Sequence, residues 1–171
     1  MFKFPFGGIS PALKPSDLSV ANVSTLYANM RASELWLLLN FGVGTAGDNA
    51  VISLTQATSN AGANAKVLSV REAWYMRGAP TLTNANASVQ ELWTKSLLFS
   101  REAPAASYPT VTDRGAATNE FFAAIRIRGC DLDVLNGYKA VKAVIGDTGA
   151  VSQTCTGVWL SENPRILAPI P

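Results

Sequence analysis

The sequence predicts an all-β fold, an antiparallel β-sandwich or jelly-roll preceded by an extended N-terminal arm. Two observations carry this prediction: short runs of apolar or β-branched residues recur along the chain, and Gly, Asn, Asp and Thr residues that form turns separate them. Strands at such spacing are typical of a sandwich or barrel, whereas a βαβ fold would alternate strands with helical segments. A chain of 171 residues can bury one hydrophobic core, so we expect a single domain over residues 21–171.

The predicted arm covers residues 1–20. Three prolines and two glycines within its first fifteen residues break any regular period. Phe2, Phe4 and Phe6 alternate, which places their side chains on one face of an extended chain. Disordered tails are usually poor in aromatic residues. We therefore expect the arm to dock on a neighbouring subunit rather than to pack as an element of the domain.

Strand-like runs follow the arm in order. Residues 34–41 form an apolar run bounded by glycines, and residues 51–58 alternate in the manner of a strand. The other predicted strands are 65–76, 92–100, 121–128, 138–145 and 155–160. Two long links, 78–89 and 101–119, carry few charges and are predicted to lack secondary structure.

The alternation is clearest in residues 121–128. Ile125 and Ile127 are predicted to point inward, and Arg126 and Arg128 outward, because successive side chains of a strand face opposite sides. The weakest strand prediction concerns the region around residue 92. There Ser88 and Glu91 match a capping box, so residues 88–98 could instead form a short helix.

Composition narrows the classes of function. Charged residues make up 15% of the chain, against about 25% in typical soluble domains, which suits a protein that buries much of its exterior against neighbours. A net charge of +2 is too small to predict a nucleic-acid or membrane partner. The longest apolar run, residues 35–39, is far shorter than the roughly 20 residues that span a bilayer, and no secretory leader is predicted.

The chain contains no histidine, so the commonest general base and metal ligand is missing. Cys130 and Cys155 lack a second cysteine at CxxC spacing. The favoured interpretation is two buried free thiols, although a disulfide is conceivable if their strands are neighbours. We predict that the protein is not an enzyme, with no catalytic residue, no metal and no cofactor.

Two short motifs invite other interpretations. Residues 42–47 (GVGTAG) match the GxGxxG pattern, but a strand-like segment follows where the nucleotide site requires a helix, and a glycine-rich strand connection explains the pattern better. Residues 131–137 (DLDVLNG) superficially match a calcium loop. Leu135 occupies the third ligand position, however, so a hairpin turn with Gly137 at positive φ is the preferred interpretation.

Three segments together resemble a known family. They are residues 54–66 (LTQATSNAGANAK), 131–144 (DLDVLNGYKAVKAV) and 158–165 (VWLSENPR). This combination resembles small tailed-bacteriophage virion proteins of the head gene module, which carry an LQQAT stretch leading to GAK, an LDVxxGY stretch and an LxxDPR end. Asn163 stands where the family has aspartate, which puts any charge-based partner for that position in doubt.

The resemblance implies a place in the virion and assembly in the host cytoplasm. Small size, β-character and low charge lead us to expect a capsid cement or decoration protein on the outer head surface. Its expected partners are the major capsid protein and itself, as a homodimer or homotrimer. A head-completion or tail protein of the same virion is the alternative.

Aromatic and arginine side chains are the candidate interface residues, because these types are enriched at binding hot spots. They are Phe2, Phe4, Phe6, Trp74, Tyr75, Arg77, Arg126 and Arg128. Trp74 and Tyr75 would face opposite sides of one strand, which leaves at least one ring outside the core. A carbohydrate-binding β-sandwich module with Trp74 or Tyr75 as a stacking platform is therefore a further alternative.

Overall fold

The computed structural model describes residues 6–19, 22–30, 34–44, 50–70, 72–77, 107–109, 121–146 and 152–162. These residues form eleven β-strands and two short 3-10 helices. The strands are β1 (Phe6–Asp17), β2 (Val23–Ser24), β3 (Ala28–Asn29), β4 (Glu34–Phe41), β5 (Val51–Ala57), β6 (Lys66–Val67), β7 (Glu72–Arg77), β8 (Ser107–Pro109), β9 (Phe121–Arg128), β10 (Ala140–Ile145) and β11 (Thr154–Glu162). The 3-10 helices are Gly129–Asp131 and Val134–Asn136.

The strands form two antiparallel sheets. Sheet A has the order β1-β11-β4-β9-β7. Sheet B has the order β2-β10-β5-β6, with β3 also pairing with β10 and β8 with β5. Buried side chains of both sheets belong to one hydrophobic cluster, so the sheets pack face to face as a sandwich. The predicted all-β antiparallel fold is confirmed.

The facing sides of the two sheets follow the strand period of two. In β4, Leu35, Leu37 and Leu39 are buried, while the residues between them are only partly buried or exposed. Ile125 and Ile127 of β9 are fully buried, as the sequence predicts, and the arginines between and after them lie on the other face. Sheet B contributes Ile52 and Leu54 of β5 and the alternate residues of β10 to the same core.

The connection between β9 and β10 crosses from one sheet to the other. β9 lies in sheet A and β10 in sheet B, so the predicted hairpin at residues 136–137 is wrong, because a hairpin would join neighbours of one sheet. The turn chemistry itself is confirmed, since Gly137 has a φ of 80°. The segment is a loop that passes over the end of the sandwich.

The N-terminal segment differs from the prediction in its partner. β1 is extended, but it pairs antiparallel with β11 of its own chain rather than lying apart from the domain. Among the described strands it lies at the edge of sheet A, where Pro11 and Pro15 are tolerated because an edge has backbone groups that need no partner strand. Its register with β11 shifts at three places, which fits the prolines and glycines of this segment.

Five other predictions need correction or cannot be compared. The strand predicted over residues 65–76 is two strands, β6 in sheet B and β7 in sheet A. The link 101–119, predicted to lack secondary structure, contains β8, which pairs with β5. The predictions for residues 78–89, 88–98 and 92–100 lie outside the described residues.

The two cysteines lie at opposite ends of sheet A. β4 separates β11 from β9, and Cys155 lies opposite Phe41, the end of β4 that is remote from Arg128 and Cys130. A disulfide requires Cα atoms within about 7 Å, so this register excludes one within the chain. Both thiols are free, but Cys130 is exposed, which corrects the expectation of two buried thiols. Burial raises the pKa of the Cys155 thiol to about 12.

Candidate interaction surface

The loop between β9 and β10, residues 129–138, brings together two of the segments that carry the family resemblance. Two successive 3-10 turns shape it, with Asn136 N donating to Asp133 O at 3.1 Å and Gly137 N donating to Val134 O at 3.0 Å. Gly137 then reverses the chain in the left-handed region. At the following residue, Tyr138 N donates to Asp133 O at 3.2 Å. The loop therefore has a defined backbone path rather than an open excursion.

Gln56 fastens this loop to sheet B. Its side chain is buried, and its Oε1 accepts a hydrogen bond from the backbone N–H of Asp133 at 2.9 Å. Its Nε2 donates to the carbonyl oxygen of Val67 at 3.4 Å. One amide group thus bonds the loop and β6 together, and it satisfies backbone groups that would be costly to bury alone.

Lys66 and Asp133 form an ion pair on the same side of the loop. Lys66 Nζ lies 2.5 Å from Asp133 Oδ2, and Asn136 Nδ2 donates to both carboxylate oxygens at 2.9 and 2.8 Å. Lys66 Nζ also lies 4.2 Å from the centre of the Tyr138 ring, at cation–π distance. Hydrogen bonding to Lys66, and then to Asn136, lowers the pKa of Asp133, and the Asp133 hydrogen bond raises the pKa of Lys66.

Two apolar residues of this loop face water. Val134 is 61% exposed and Leu135 is fully exposed, at the centre of the second 3-10 turn. Val67, which the Gln56 amide places at the same end of sheet B, is 57% exposed. Leu132 of the same loop is buried in the core, whereas Val134 and Leu135 point outward. These two exposed apolar side chains make this end of the sandwich the candidate interaction surface.

Six of the eight predicted interface residues lie on three strands of sheet A, namely β1, β7 and β9. Phe2 and Phe4 lie outside the described residues. The structure gives the backbone position of the other aromatic candidates and Arg77: Phe6 opposite Glu162, Trp74 opposite Ala124, Tyr75 opposite Ala123, and Arg77 opposite Phe121. Their interface role, and the carbohydrate hypothesis built on Trp74 and Tyr75, stay predictions.

Arg126 and Arg128 have partners within the chain. Arg126 makes a two-pronged ion pair with Glu34, including Nε to Oε2 at 3.0 Å, and lies over the Trp36 ring at 5.7 Å. Arg128 bonds the Asp131 carboxylate, with Nη2 to Oδ1 at 3.3 Å. Both arginines thus contribute to the structure of sheet A and of the loop that follows it.

Sequence analysis missed Gln56, Lys66, Val134 and Leu135 as site residues. All four lie within the segments that carry the resemblance. The sequence analysis therefore singled out these segments but did not predict the contacts of the four residues. The available signal was the apolar pair Val134–Leu135 enclosed by turn-forming residues. In the described part of the chain, no group of three or more His, Cys, Asp or Glu side chains could hold a metal ion.

Comparisons with known proteins add no information on function to the geometry of the loop 129–138. No protein-family model, curated protein or solved structure matches the chain. Among the described residues, no helix has the length and apolar character needed to cross a membrane.

Proposed function

We propose that this chain is a structural protein of a tailed-bacteriophage virion, a capsid cement or decoration protein that binds the outer head surface. One observation supports the proposal above the others. Two segments that resemble the virion family meet at one end of sheet B, where Gln56 and Lys66 hold the loop by its residue Asp133. The loop thereby presents apolar side chains to a partner.

The electrostatics of the site favour binding over catalysis. A catalytic acid or base works best with a pKa near the operating pH. In the Lys66–Asp133 pair the pKa of the acid is lowered and that of the base is raised, so both groups stay charged across the neutral range. The pair therefore acts as a structural tie.

The proposed mechanism is adhesive. Many copies would bind the major capsid protein across neighbouring capsomers, and binding to the assembled shell alone stabilises that shell by mass action. A chain with 15% charged residues has surface to bury in such contacts. Homodimers or homotrimers at two-fold or three-fold positions would match the symmetry of the shell.

The test is co-sedimentation of the purified chain with capsids assembled without it, followed by cryo-electron microscopy. We expect saturable binding, with density at symmetry-related positions on the outer lattice. Density at a single vertex would replace the decoration role with head completion or a tail role. Absence of association with any part of the virion would overturn the proposal.

A further inference from the structure

The Asn136–Gly137 pair lies on the surface of the loop between β9 and β10. It is the one Asn-Gly pair in the sequence, and both residues are exposed. A Cβ added at Gly137 would meet no atom within 4 Å, so no neighbour crowds that side of the residue. Glycine also has no side chain of its own to obstruct its backbone nitrogen. This nitrogen and the side-chain amide of Asn136 are therefore the two reactive groups of the pair.

The chemistry open to this pair is spontaneous deamidation. The Gly137 nitrogen gives up its proton to hydroxide and forms a bond to Cγ of Asn136, and Nδ2 takes up a proton from water and leaves as ammonia. The product is a five-membered succinimide ring. Water then adds to either carbonyl carbon of the ring and opens it, which gives aspartate or isoaspartate. The conversion consumes one water and releases one ammonia, and nothing is oxidised or reduced.

The folded loop opposes the first step at both reactive groups. The Gly137 N–H donates to the Val134 carbonyl oxygen at 3.0 Å, so the proton that must leave is held within the second 3-10 turn. The Asn136 Nδ2 donates to both oxygens of the Asp133 carboxylate, at 2.9 and 2.8 Å. Hydrogen bonds to a charged acceptor are stronger than those between neutral groups. This contact therefore holds the asparagine side chain away from ring closure.

The backbone conformation adds to this protection. Asn136 is the last residue of a 3-10 helix, in which ψ is normally about −20 to −30°. Ring closure requires rotation about the Cα–C bond of Asn136, because the Gly137 nitrogen must come level with Cβ and Cγ to form a five-membered ring. The reaction therefore proceeds from conformers in which this part of the loop has opened, and its rate falls with their population.

We propose that Asn136 is a deamidation site that the Asp133 carboxylate protects while the loop is intact. Lys66 contributes to this protection, since its ion pair fixes the carboxylate that accepts from the asparagine. The product has the opposite effect, because an aspartate there has no donor for Asp133 and adds a second negative charge beside it. Deamidation thus releases the turn that holds Val134 and Leu135, and the change is irreversible. The inference goes beyond the proposed function, since the reaction needs no partner.

Peptide mapping by mass spectrometry tests the site in the full-length chain. Folded protein and guanidinium-unfolded protein are incubated in mildly alkaline buffer, and the conversion of Asn136 to aspartate and isoaspartate is followed with time. We expect the folded chain to react about tenfold or more slowly than the unfolded chain. Equal rates in the two samples would overturn the protection, and an Asn136 that stays unchanged in the unfolded chain would overturn the site itself.

Two alanine variants test the role of Asp133. Folded Asp133→Ala should deamidate at Asn136 about tenfold faster than the folded parent, because the charged acceptor is gone. Asp17→Ala is the matched control, since it removes a carboxylate that accepts from the Ser19 amide at the opposite end of sheet A. Its rate should equal that of the parent, and urea unfolding checks that both variants are folded. A parent-like rate in Asp133→Ala, or equal acceleration in both variants, would overturn this role.

Hydrogen exchange at the Gly137 amide tests the effect of the product. Asn136→Asp and Asn136→Ala both lose the donor to Asp133, but only Asn136→Asp adds a charge. We expect exchange to be faster than in the parent in both variants and fastest in Asn136→Asp. Parent-like exchange in Asn136→Asp would mean that the turn stays closed after deamidation, which would overturn the proposed release.

Discussion

The centre of the sandwich and residues 133–135 of the loop distribute their side chains in opposite ways. At the centre, Leu37 and Ile125 are fully buried between the sheets, and the polar residues of the same strands face away from the core. In the loop, Asp133 bonds inward to Gln56 and Lys66, and Leu135 points into water.

This inversion separates two tasks. Burial of apolar area supplies most of the stability of a domain, and here it is concentrated between the sheets. The hydrogen bonds and ion pair of the loop add less stability but fix its shape. We infer that burial at the centre supplies most of the stability, whereas the contacts of the loop determine which of its side chains are exposed.

The sharpest test of the comparison removes a leucine from each region. Leu37→Ala should lower the free energy of unfolding by about 2–5 kcal/mol, because it leaves a cavity among fully buried neighbours. Leu135→Ala should change it by no more than about 0.5 kcal/mol, since the side chain is already in water. Urea unfolding of both variants measures the difference. Similar losses in the two variants would contradict the proposed division of tasks.

A second test adds volume at the centre. A Cβ at Gly157 of β11 would lie 2.6 Å from Leu39 Cδ2 and 3.0 Å from the carbonyl oxygen of Leu38. Gly157→Ala should therefore cost about 1–3 kcal/mol through overpacking, measured by urea unfolding. Gly146→Ala is the matched control, because its nearest neighbour is the Val51 carbonyl oxygen at an ordinary 3.4 Å. Equal effects at the two glycines would show that backbone freedom, rather than space, limits this position.

A third test removes the hydrogen bonds by which Gln56 connects the loop to sheet B. Gln56→Leu keeps the approximate size of the side chain but removes the partners of Asp133 N and Val67 O. We expect a loss of about 1–3 kcal/mol for the unsatisfied groups and faster hydrogen exchange at the Asp133 amide. Thr55→Val, on the other face of β5, is the control. Unchanged exchange at Asp133 in Gln56→Leu would mean that the loop holds its shape without sheet B.

The fourth test uses pH to loosen the loop. The folded pKa of Asp133 lies below its unfolded value, so its contribution is present above about pH 4 and is lost as the pH falls through the folded pKa. The folded pKa of Lys66 is raised, so its contribution is present below about pH 10 and is lost as the pH rises through the folded value. Amide chemical shifts of residues 134–138 should hold constant between these limits. Lys66→Met should abolish the change in these chemical shifts at alkaline pH and leave the amide signals of the strands unaltered. If the shifts of residues 134–138 still change at alkaline pH in this variant, a titrating group other than Lys66 is responsible.

The smallest effect concerns thiol reactivity and involves no change in stability. Cys130, in the 3-10 helix that begins the loop, is exposed, and Cys155, in β11, is buried with its pKa raised to about 12. Because the thiolate is the reactive form, a disulfide reagent at pH 8 should modify Cys130 in the folded protein and Cys155 only after unfolding. Cys130→Ser should abolish the reaction of the folded chain. Two reactive thiols without denaturant would show that the centre opens readily.

The sequence predictions succeeded where the structure depends on a local pattern of residues. The run 121–128 ends in alternating isoleucine and arginine at residues 125–128, and both the bounds of β9 and its inward face were predictable. Residues 34–41 were predictable as a strand, but a run of five apolar residues does not indicate which side faces the core. The packing of sheet B against Leu35, Leu37 and Leu39 decides it.

The candidate site was only partly predictable. The left-handed glycine at 137 followed from the Asn-Gly pair, since positive φ is a property of single residues. The hydrogen bond between Gln56 and Asp133 joins residues 77 positions apart, and no local sequence pattern predicts it. The same holds for the exposure of Val134 and Leu135, because the sequence alone makes two adjacent apolar residues candidates for burial.

The sequence by itself determined that this protein is built from antiparallel strands, where several of them begin and end, and which turns need glycine. Only the tertiary structure decided which strands pair, that the chain crosses between sheets after β9, and that residues 6–17 form a strand of sheet A. The physical reason lies in the range of each interaction. Side-chain alternation and turn chemistry act over a few residues, whereas strand pairing uses backbone hydrogen bonds that are the same for almost every residue.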